Sequence, residues 1–361
     1  MPDPMPMRPL ALYLPPLPPT NYRSDYQQTL PSSYVLLEGR IMKKYPPMIL
    51  TVTIHPALDK IVRLPRLLPH DAVRSRIEMQ YGGGKGNNAA RALTRLGIPV
   101  TASGFQGGYT GELLIKQFAE EGVSADYVIC QSPTRTSLMI VEEETGQTYA
   151  IYEPGQKVEP DELEKFRTHF LHLLEQAHLV LFCGSGQTSE LAALHFDLIQ
   201  AAEGRGIHCG LDSSGAALRE GIKAKPHMVK INRNELAELT GKPLPELDDQ
   251  IKAMLDLHET GIALVALSRG SDGLLVTDGK TCWQAALTMD KVVNVMGCGD
   301  SLLAGMSAAM LKDSNLADIA RSGVACGAAN TQVLGAGFID PALVKKLIPQ
   351  VTLRQVPVGN L

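Results

Sequence analysis

Four short stretches combine residue types that could grip an anion or move a phosphoryl group. The first is Asn294-Val295-Met296-Gly297-Cys298-Gly299-Asp300-Ser301, running on into Leu302-Leu303-Ala304-Gly305. Two glycines flank a small residue, and an aspartate stands where an apolar helix begins. Successive backbone N–H groups at a helix N-terminus, with the helix dipole behind them, attract negative charge. Glycines let that backbone come close to a phosphate. Asp300 would repel a phosphate, so its place makes sense as a base. It would take a hydroxyl proton while the amides of Gly297, Cys298 and Gly299 hold the transferring group. Taken alone, the same residues are an ordinary helix cap.

The second stretch is Gly82-Gly83-Gly84-Lys85-Gly86-Asn87-Asn88-Ala89-Ala90. A glycine-rich turn with one cation leads into a helix. The Lys-Ser/Thr pair of a Walker loop is missing. Lys85 could grip an anionic substrate, or be a solvated lysine in a flexible turn. The third, Lys230-Ile231-Asn232-Arg233-Asn234-Glu235, joins a strand end to a helix start. Open α/β sheets bind ligands at such ends. An amide and a carboxylate three apart can organise a hydrated Mg²⁺; they can equally form a capping box. The fourth, Ser268-Arg269-Gly270-Ser271-Asp272-Gly273, is a glycine-rich turn between two strands.

The elements that must position these residues are legible in outline. Met48 to Ile54 is a β-branched apolar run and predicts a first strand. Asp71 to Gln80 alternates like an exposed antiparallel strand. Asn88 to Leu96 predicts a helix ended by Gly97. Thr136–Val141 and Gln147–Tyr152 predict a hairpin around Glu144-Thr145-Gly146. From about residue 160 apolar strands at 179–183, 207–212, 228–231, 262–268 and 273–277 alternate with helical stretches such as 189–203 and 251–259. Helices dominate from Asp300 onward. This alternation predicts a mostly parallel sheet covered on both faces. The early polar strands do not fit inside it and predict a small projecting sheet, a lid.

The chain has 361 residues, 44% of them hydrophobic and 20% charged. That is an ordinary globular composition, which excludes collagen-like and disulfide-scaffold chains. The 24 prolines are uneven, with 11 of them in the first 47 residues. Residues 1–47 therefore read either as a disordered Pro-rich tail or as an over-extended start, with Met48 opening the body. The net charge of −4 argues against nucleic acid or an anionic membrane as partner. The six cysteines show no CxxC pair or metal-ligand spacing, so they read as free thiols of a cytoplasmic protein. No apolar run reaches the roughly 18 residues of a membrane span.

Together these motifs resemble the PfkB-type carbohydrate kinases of the ribokinase-like superfamily. The likeness spans residues 48–350, leaving 351–361 as a tail. It rests on Gly83 to Asn88 followed by Gly297 to Asp300. Thr53-Ile54-His55-Pro56-Ala57-Leu58-Asp59 and Leu211-Asp212-Ser213-Ser214-Gly215 are similar to the hexose-phosphate branch, with its 1-phosphofructokinases, tagatose-6-phosphate kinases and second type of 6-phosphofructokinase. The resemblance implies a ribokinase-like three-layer α/β/α fold with a β lid from about 58–81 and 134–152. It implies Asp300 as the base and residues 297–299 as the anion hole. Asp59, Gly84 and Asn88 would meet sugar hydroxyls, while Lys85 and Arg135 would hold the phosphate already on the sugar. Lys230, Asn232 and Glu235 would serve the ATP phosphates and Mg²⁺, the last two as metal ligands through water. Ser268 and Gly270 would approach the ATP phosphates and Asn330 the adenine. A homodimer through the lid is also implied.

The chain departs from the family pattern in places. His55 replaces the usual Asn, a change expected to alter loop hydrogen bonding rather than chemistry. Cys298 replaces Ala, and Asn87 stands where an aliphatic residue is usual. Gly184-Ser185-Gly186-Gln187-Thr188 lacks the usual Leu-Pro in a loop that faces the sugar. The expected activity is ATP-dependent phosphorylation of a ketohexose phosphate, with fructose 1-phosphate preferred; by resemblance Lys85 favours the 1-phosphofructokinase and tagatose-6-phosphate kinase branches over the second 6-phosphofructokinase type. Tagatose 6-phosphate and fructose 6-phosphate come next. Two rivals remain: a silent sugar-phosphate-binding regulator, and a kinase of unphosphorylated sugars or nucleosides.

Overall fold

The computed structural model describes the backbone of residues 34–37 and 40–43, and residues 47–185 and 188–358 in full. The disorder expected for 1–47 lies largely outside the described residues. Within that stretch Tyr34–Leu37 and Arg40–Lys43 pair as an antiparallel ribbon, and only with each other.

The main sheet has eleven strands. From one edge it runs Thr352–Val356, Cys282–Ala286, Leu274–Thr277, Leu264–Ser268, Met228–Asn232, His208–Asp212, Leu179–Cys183, Ile49–Thr53 and Val100–Gln106. Two short strands, Ser124–Ala125 and Val128–Ile129, both pair with the last of these. From Leu264–Ser268 to that edge every pair is parallel. The other three strands are antiparallel. The residues assigned to a C-terminal tail thus include an edge strand of the sheet. Its sequence, Thr-Leu-Arg-Gln-Val, alternates weakly and leaves most side chains in solvent, which hides it from a hydrophobicity reading.

Successive residues of the central strands point to opposite faces, and both faces are buried. Ile49, Leu179, Leu181, Met228, Leu264 and Ala266 pack on one core, with the helices Lys85–Arg95, Cys298–Met310 and Leu316–Asn330. Leu50, Val52, Val180, Phe182, Val229, Ile231 and Val265 pack on the other, with the helices Pro160–Leu173, Ser189–Glu203 and Leu247–Glu259. This is the expected three-layer α/β/α arrangement with a mostly parallel sheet.

A separate four-stranded sheet carries, in order, Thr148–Tyr152, Arg135–Glu142, Ala57–Leu64 and Arg76–Gly83. The hairpin expected at 136–152 is present. The strand Ala57–Leu64 follows the first core strand after only three residues, so the chain passes directly from the main sheet into the small one.

Candidate functional site

The parallel strands end together, and the chemistry-bearing residues stand on those ends. Thr53 pairs with Gly104 and Cys183, Cys183 with Asp212, and Asn232 with Ser268. The small sheet rises beside this edge.

The helix Cys298–Met310 starts here, capped by Gly297 at φ 75°. A side chain at Gly297 would put its Cβ 2.3 Å from Ala336 Cβ, so the tight turn needs glycine. Asp300 is buried in the first turn, and its Oδ2 accepts a 2.8 Å hydrogen bond from Asn88 Nδ2. Burial, followed by the nearby Asp212 carboxylate, pushes the Asp300 carboxyl above its ordinary range. Asn88, Lys85 and Lys230 oppose the shift. The result is a carboxylate made more basic while held in place, which suits a proton acceptor.

Asn88 belongs to the helix Lys85–Arg95, which starts three residues earlier than its apolar pattern suggests because Gly84, at φ 106°, turns the chain into it. Arg91 fixes the Asn88 amide by donating from Nη1 to Asn88 Oδ1 at 3.3 Å. Asn87 is fully buried, yet its polarity is satisfied. Its Nδ2 donates to Gly83 O at 2.8 Å, and its Oδ1 accepts from Thr53 Oγ1 at 3.0 Å and from Tyr127 OH. A polar residue at this position is therefore part of the glycine turn's scaffold. Gly83 packs against Asp59 so closely that a Cβ would lie 2.0 Å from Asp59 Oδ2. Asp59 stands on the small sheet between Tyr81 and Ser137. Burial raises its carboxyl to about 6, opposed by the Ser137 hydrogen bond, Arg91 and Arg135. A shallow recess lies against it, lined among others by Tyr81, Ser137, Met139, Tyr152 and Met296.

The cations are arranged differently from the sequence expectation. Asp212 is fully buried between two lysines. Its Oδ1 accepts from Lys85 Nζ at 2.8 Å and its Oδ2 from Lys230 Nζ at 2.7 Å. Burial would raise the Asp212 carboxyl, but Lys230 and Lys85 together hold it below its usual range. Lys85 also reaches Glu235 Oε1 at 3.4 Å. Lys85 is thus tied to the strand ends under the anion loop, where the sequence suggested a grip on the sugar's phosphate. Lys230 stands where a Cβ on Gly299 would lie 3.0 Å from its Nζ, placing an ammonium directly beside the glycine amides. Asp212 was missed as a site residue. Its Leu-Asp-Ser-Ser-Gly setting was visible, but no spacing rule tied it to two distant lysines.

Arg135 starts its strand beside Ala57 and donates from Nη1 to Glu153 O at 3.2 Å. Ser268 donates to Ile231 O at 3.3 Å and precedes a short 3₁₀ turn, Gly270–Asp272, with Gly270 at φ 63°. Both residues lie where the parallel strands end. Asn330 does not. It is fully buried beneath the anion loop, with Oδ1 accepting from Ser301 Oγ at 2.9 Å and Gly337 N at 2.8 Å. Its Nδ2 donates to Met296 O at 2.7 Å. With its strong bonds made inside the protein, Asn330 braces the loop and is not exposed to an adenine ring.

Asn232 and Glu235 form the capping box that the sequence allowed. Asn232 Oδ1 accepts from Asn234 N and Glu235 N, and Glu235 Oε2 accepts from Asn232 N at 2.8 Å. Glu235 Oε1 also faces Lys85 Nζ, at 3.4 Å. Among the described residues no group of three or more His, Cys, Asp or Glu could hold a metal ion. Nor is any helix among them long and apolar enough to cross a membrane.

Known proteins share this fold. The pfkB family carbohydrate kinase model matches residues 65–343. Phosphofructokinase-2 from Escherichia coli, in its tetrameric inhibited form, is 30% identical, with a TM-score of 0.78 over 84% of this chain and 99% of that one. The same enzyme in complex with fructose-6-phosphate is 30% identical at a TM-score of 0.77, with the same coverage of both chains. The Thermotoga maritima "Possible 1-phosphofructokinase" shares the fold at 24% identity and a TM-score of 0.74, over 86% of this chain and 100% of that one. A buried aspartate at a glycine-capped helix start, joined through one asparagine to a second glycine turn, is therefore found in a chain matched along most of its length by one family: this protein belongs to the PfkB family of carbohydrate kinases and is a sugar kinase.

Proposed function

We propose that this kinase transfers the γ-phosphoryl group of ATP to the free primary hydroxyl of a ketohexose monophosphate, releasing ADP and a ketohexose bisphosphate. The observation that carries this reading is Asp300. It is buried, more basic than an ordinary aspartate, and held by Asn88 at the N-terminus of a glycine-capped helix. In this reading Asp300 takes the hydroxyl proton as the oxygen attacks in line. The amides of Gly297, Cys298 and Gly299, with Lys230 beside them, face the charge on the phosphoryl oxygens. Asp59 binds sugar hydroxyls, and the neighbouring Gly84 turn forms the wall of the sugar site. Arg135 holds the sugar's own phosphate, and Ser268 and Gly270 lie along the nucleotide phosphates. Mg²⁺ enters with ATP, and Asn232 and Glu235 would hold it through water at the strand ends.

Fructose 6-phosphate becomes the first substrate to test, ahead of fructose 1-phosphate. The preference for fructose 1-phosphate leaned on Lys85, and Lys85 is engaged by Asp212 and Glu235. The 30% identical phosphofructokinase-2, solved with fructose-6-phosphate, supports the other choice. Either substrate gives the same bisphosphate. A coupled ADP-release assay across fructose 6-phosphate, fructose 1-phosphate, tagatose 6-phosphate, fructose and ribose tests the reading. Turnover should be confined to the phosphorylated ketohexoses, and Asp300→Ala should lower it by about 10²–10⁴-fold. Negligible turnover of every sugar phosphate, or an Asp300→Ala variant as active as the parent, would remove it.

A further inference from the structure

His55 is the one residue at the ligand edge whose burial goes unexplained by the roles above. It lies between Thr53, the last residue of a core strand, and Ala57, the first of the small sheet. Ala57 pairs with Gly83 on one side and with Arg135 on the other. The His55 carbonyl and Pro56 pack against Gly84. The side chain is only 7% exposed, yet neither ring nitrogen has a hydrogen-bond partner among the described residues. The ring therefore adds no hydrogen bond to the loop among the described residues. The Arg135 Nε–H is likewise buried and unpartnered. Buried polar groups are rarely left without a partner, because their desolvation is then uncompensated.

The two groups influence each other. Burial comes first, then the Arg135 charge and His195, in holding the imidazole down at about 4. At neutral pH the ring is uncharged and carries one N–H. The imidazole and the guanidinium are thus two donors close enough for one to feel the other's charge, with no shared acceptor among the described residues. A phosphate monoester has three acceptor oxygens and two negative charges, which would serve both. Among the described residues the side-chain bond of Arg135, to Glu153 O, is exposed, so turning the guanidinium toward a ligand breaks no buried hydrogen bond there.

We propose that His55 is a specificity-determining residue, donating its ring N–H to the phosphate group of the sugar phosphate beside Arg135. The inference rests on the ketohexose-phosphate reading and deepens it. It makes an unusual joint prediction. Replacing His55 with leucine removes two unsatisfied nitrogens and no hydrogen bond to any described residue, so folding should not suffer while phosphate recognition should.

The test compares wild type, His55→Leu and His55→Asn by calorimetric binding of fructose 6-phosphate, steady-state kinetics and thermal melting. For His55→Leu, Kd and KM for the sugar phosphate should rise about tenfold or more, with KM for ATP unchanged. Its Tm should be equal or higher. His55→Asn, which retains an N–H donor, should recover part of the affinity. Fructose 6-phosphate affinity within twofold of wild type in His55→Leu would overturn the proposal. So would a lowered Tm with both KM values raised, since that marks a structural role. A wild type that binds fructose 6-phosphate without phosphorylating it would instead sink the kinase reading, and the binding comparison would still decide the role of His55.

Discussion

Asp59 shows how one residue's surroundings set a measurable property. Burial against Gly83 raises its carboxyl to about 6, above its value in an unfolded chain. Two consequences differ in sign. A raised carboxyl contributes stability below the unfolded pKa and loses it as pH rises through 6. Asp59→Asn should therefore raise Tm at pH 7–8, with the gain shrinking as pH falls toward 5. Sugar binding runs the other way, because only the ionised carboxylate accepts hydroxyl hydrogen bonds with both oxygens. KM for the sugar phosphate should climb below pH 6. The phosphate's own second ionisation falls near the same pH, so the comparison with Asp59→Asn is needed. The variant should have a higher KM throughout and a weaker pH dependence, and a slope equal to wild type would assign the effect to the phosphate alone.

At the scale of elements, the site is made by junctions between strands and helices. Three strand ends and two helix starts meet around Asp212, whose carboxylate serves Lys85 from one helix and Lys230 from the next strand. Asp212→Asn would leave two ammonium groups beside a residue that cannot neutralise them. Breaking a buried charge pair in this way typically costs about 3–5 kcal/mol, so chemical denaturation should show a loss of that order. A change under about 1 kcal/mol would mean the lysines find other partners. The glycine turn before the helix Cys298–Met310 is just as constrained. Gly297→Ala must accept φ 75° and a Cβ 2.3 Å from Ala336, so it should lose activity and stability together. Cys298→Ala changes one small side chain for another and leaves the backbone amides in place. Near-wild-type kcat is expected for it, and a large loss would give the thiol a role that the amides do not explain.

At the scale of the molecule, the small sheet joins the main one through a three-residue link and presents apolar side chains to solvent. Ile77, Tyr149, Ile151 and Tyr152 are all exposed on its strands. Isolated exposed apolar residues are ordinary, but several on one small sheet suit an interface. The dimer through the lid is a proposal that follows. Ile151→Asp combined with Ile77→Asp should shift sedimentation toward the monomer and raise KM for the sugar more than for ATP. A wild type that already sediments as a monomer at micromolar concentration would exclude this assembly.

What the sequence determined by itself was the part written locally. The alternation of apolar runs with helical stretches implied a parallel sheet covered on both faces, because burial on both sides of a strand leaves a continuous apolar signature. The Gly297–Asp300 and Gly83–Asn88 motifs were legible for the same reason: a glycine turn feeding a helix is a contiguous string. The strand Thr352–Val356 was not, since an edge strand pairs through its backbone and needs few apolar side chains. Nor was the partner of any charged group. Lys85 and Asp212 are 127 residues apart, and Asn88 and Asp300 are separated by 212. Only the tertiary structure decided that Lys85 faces Asp212, that Asn330 braces a loop, and that His55 is buried without a partner. Coulomb forces and desolvation depend on distance in space, and sequence spacing carries that information only within a turn or two of the chain.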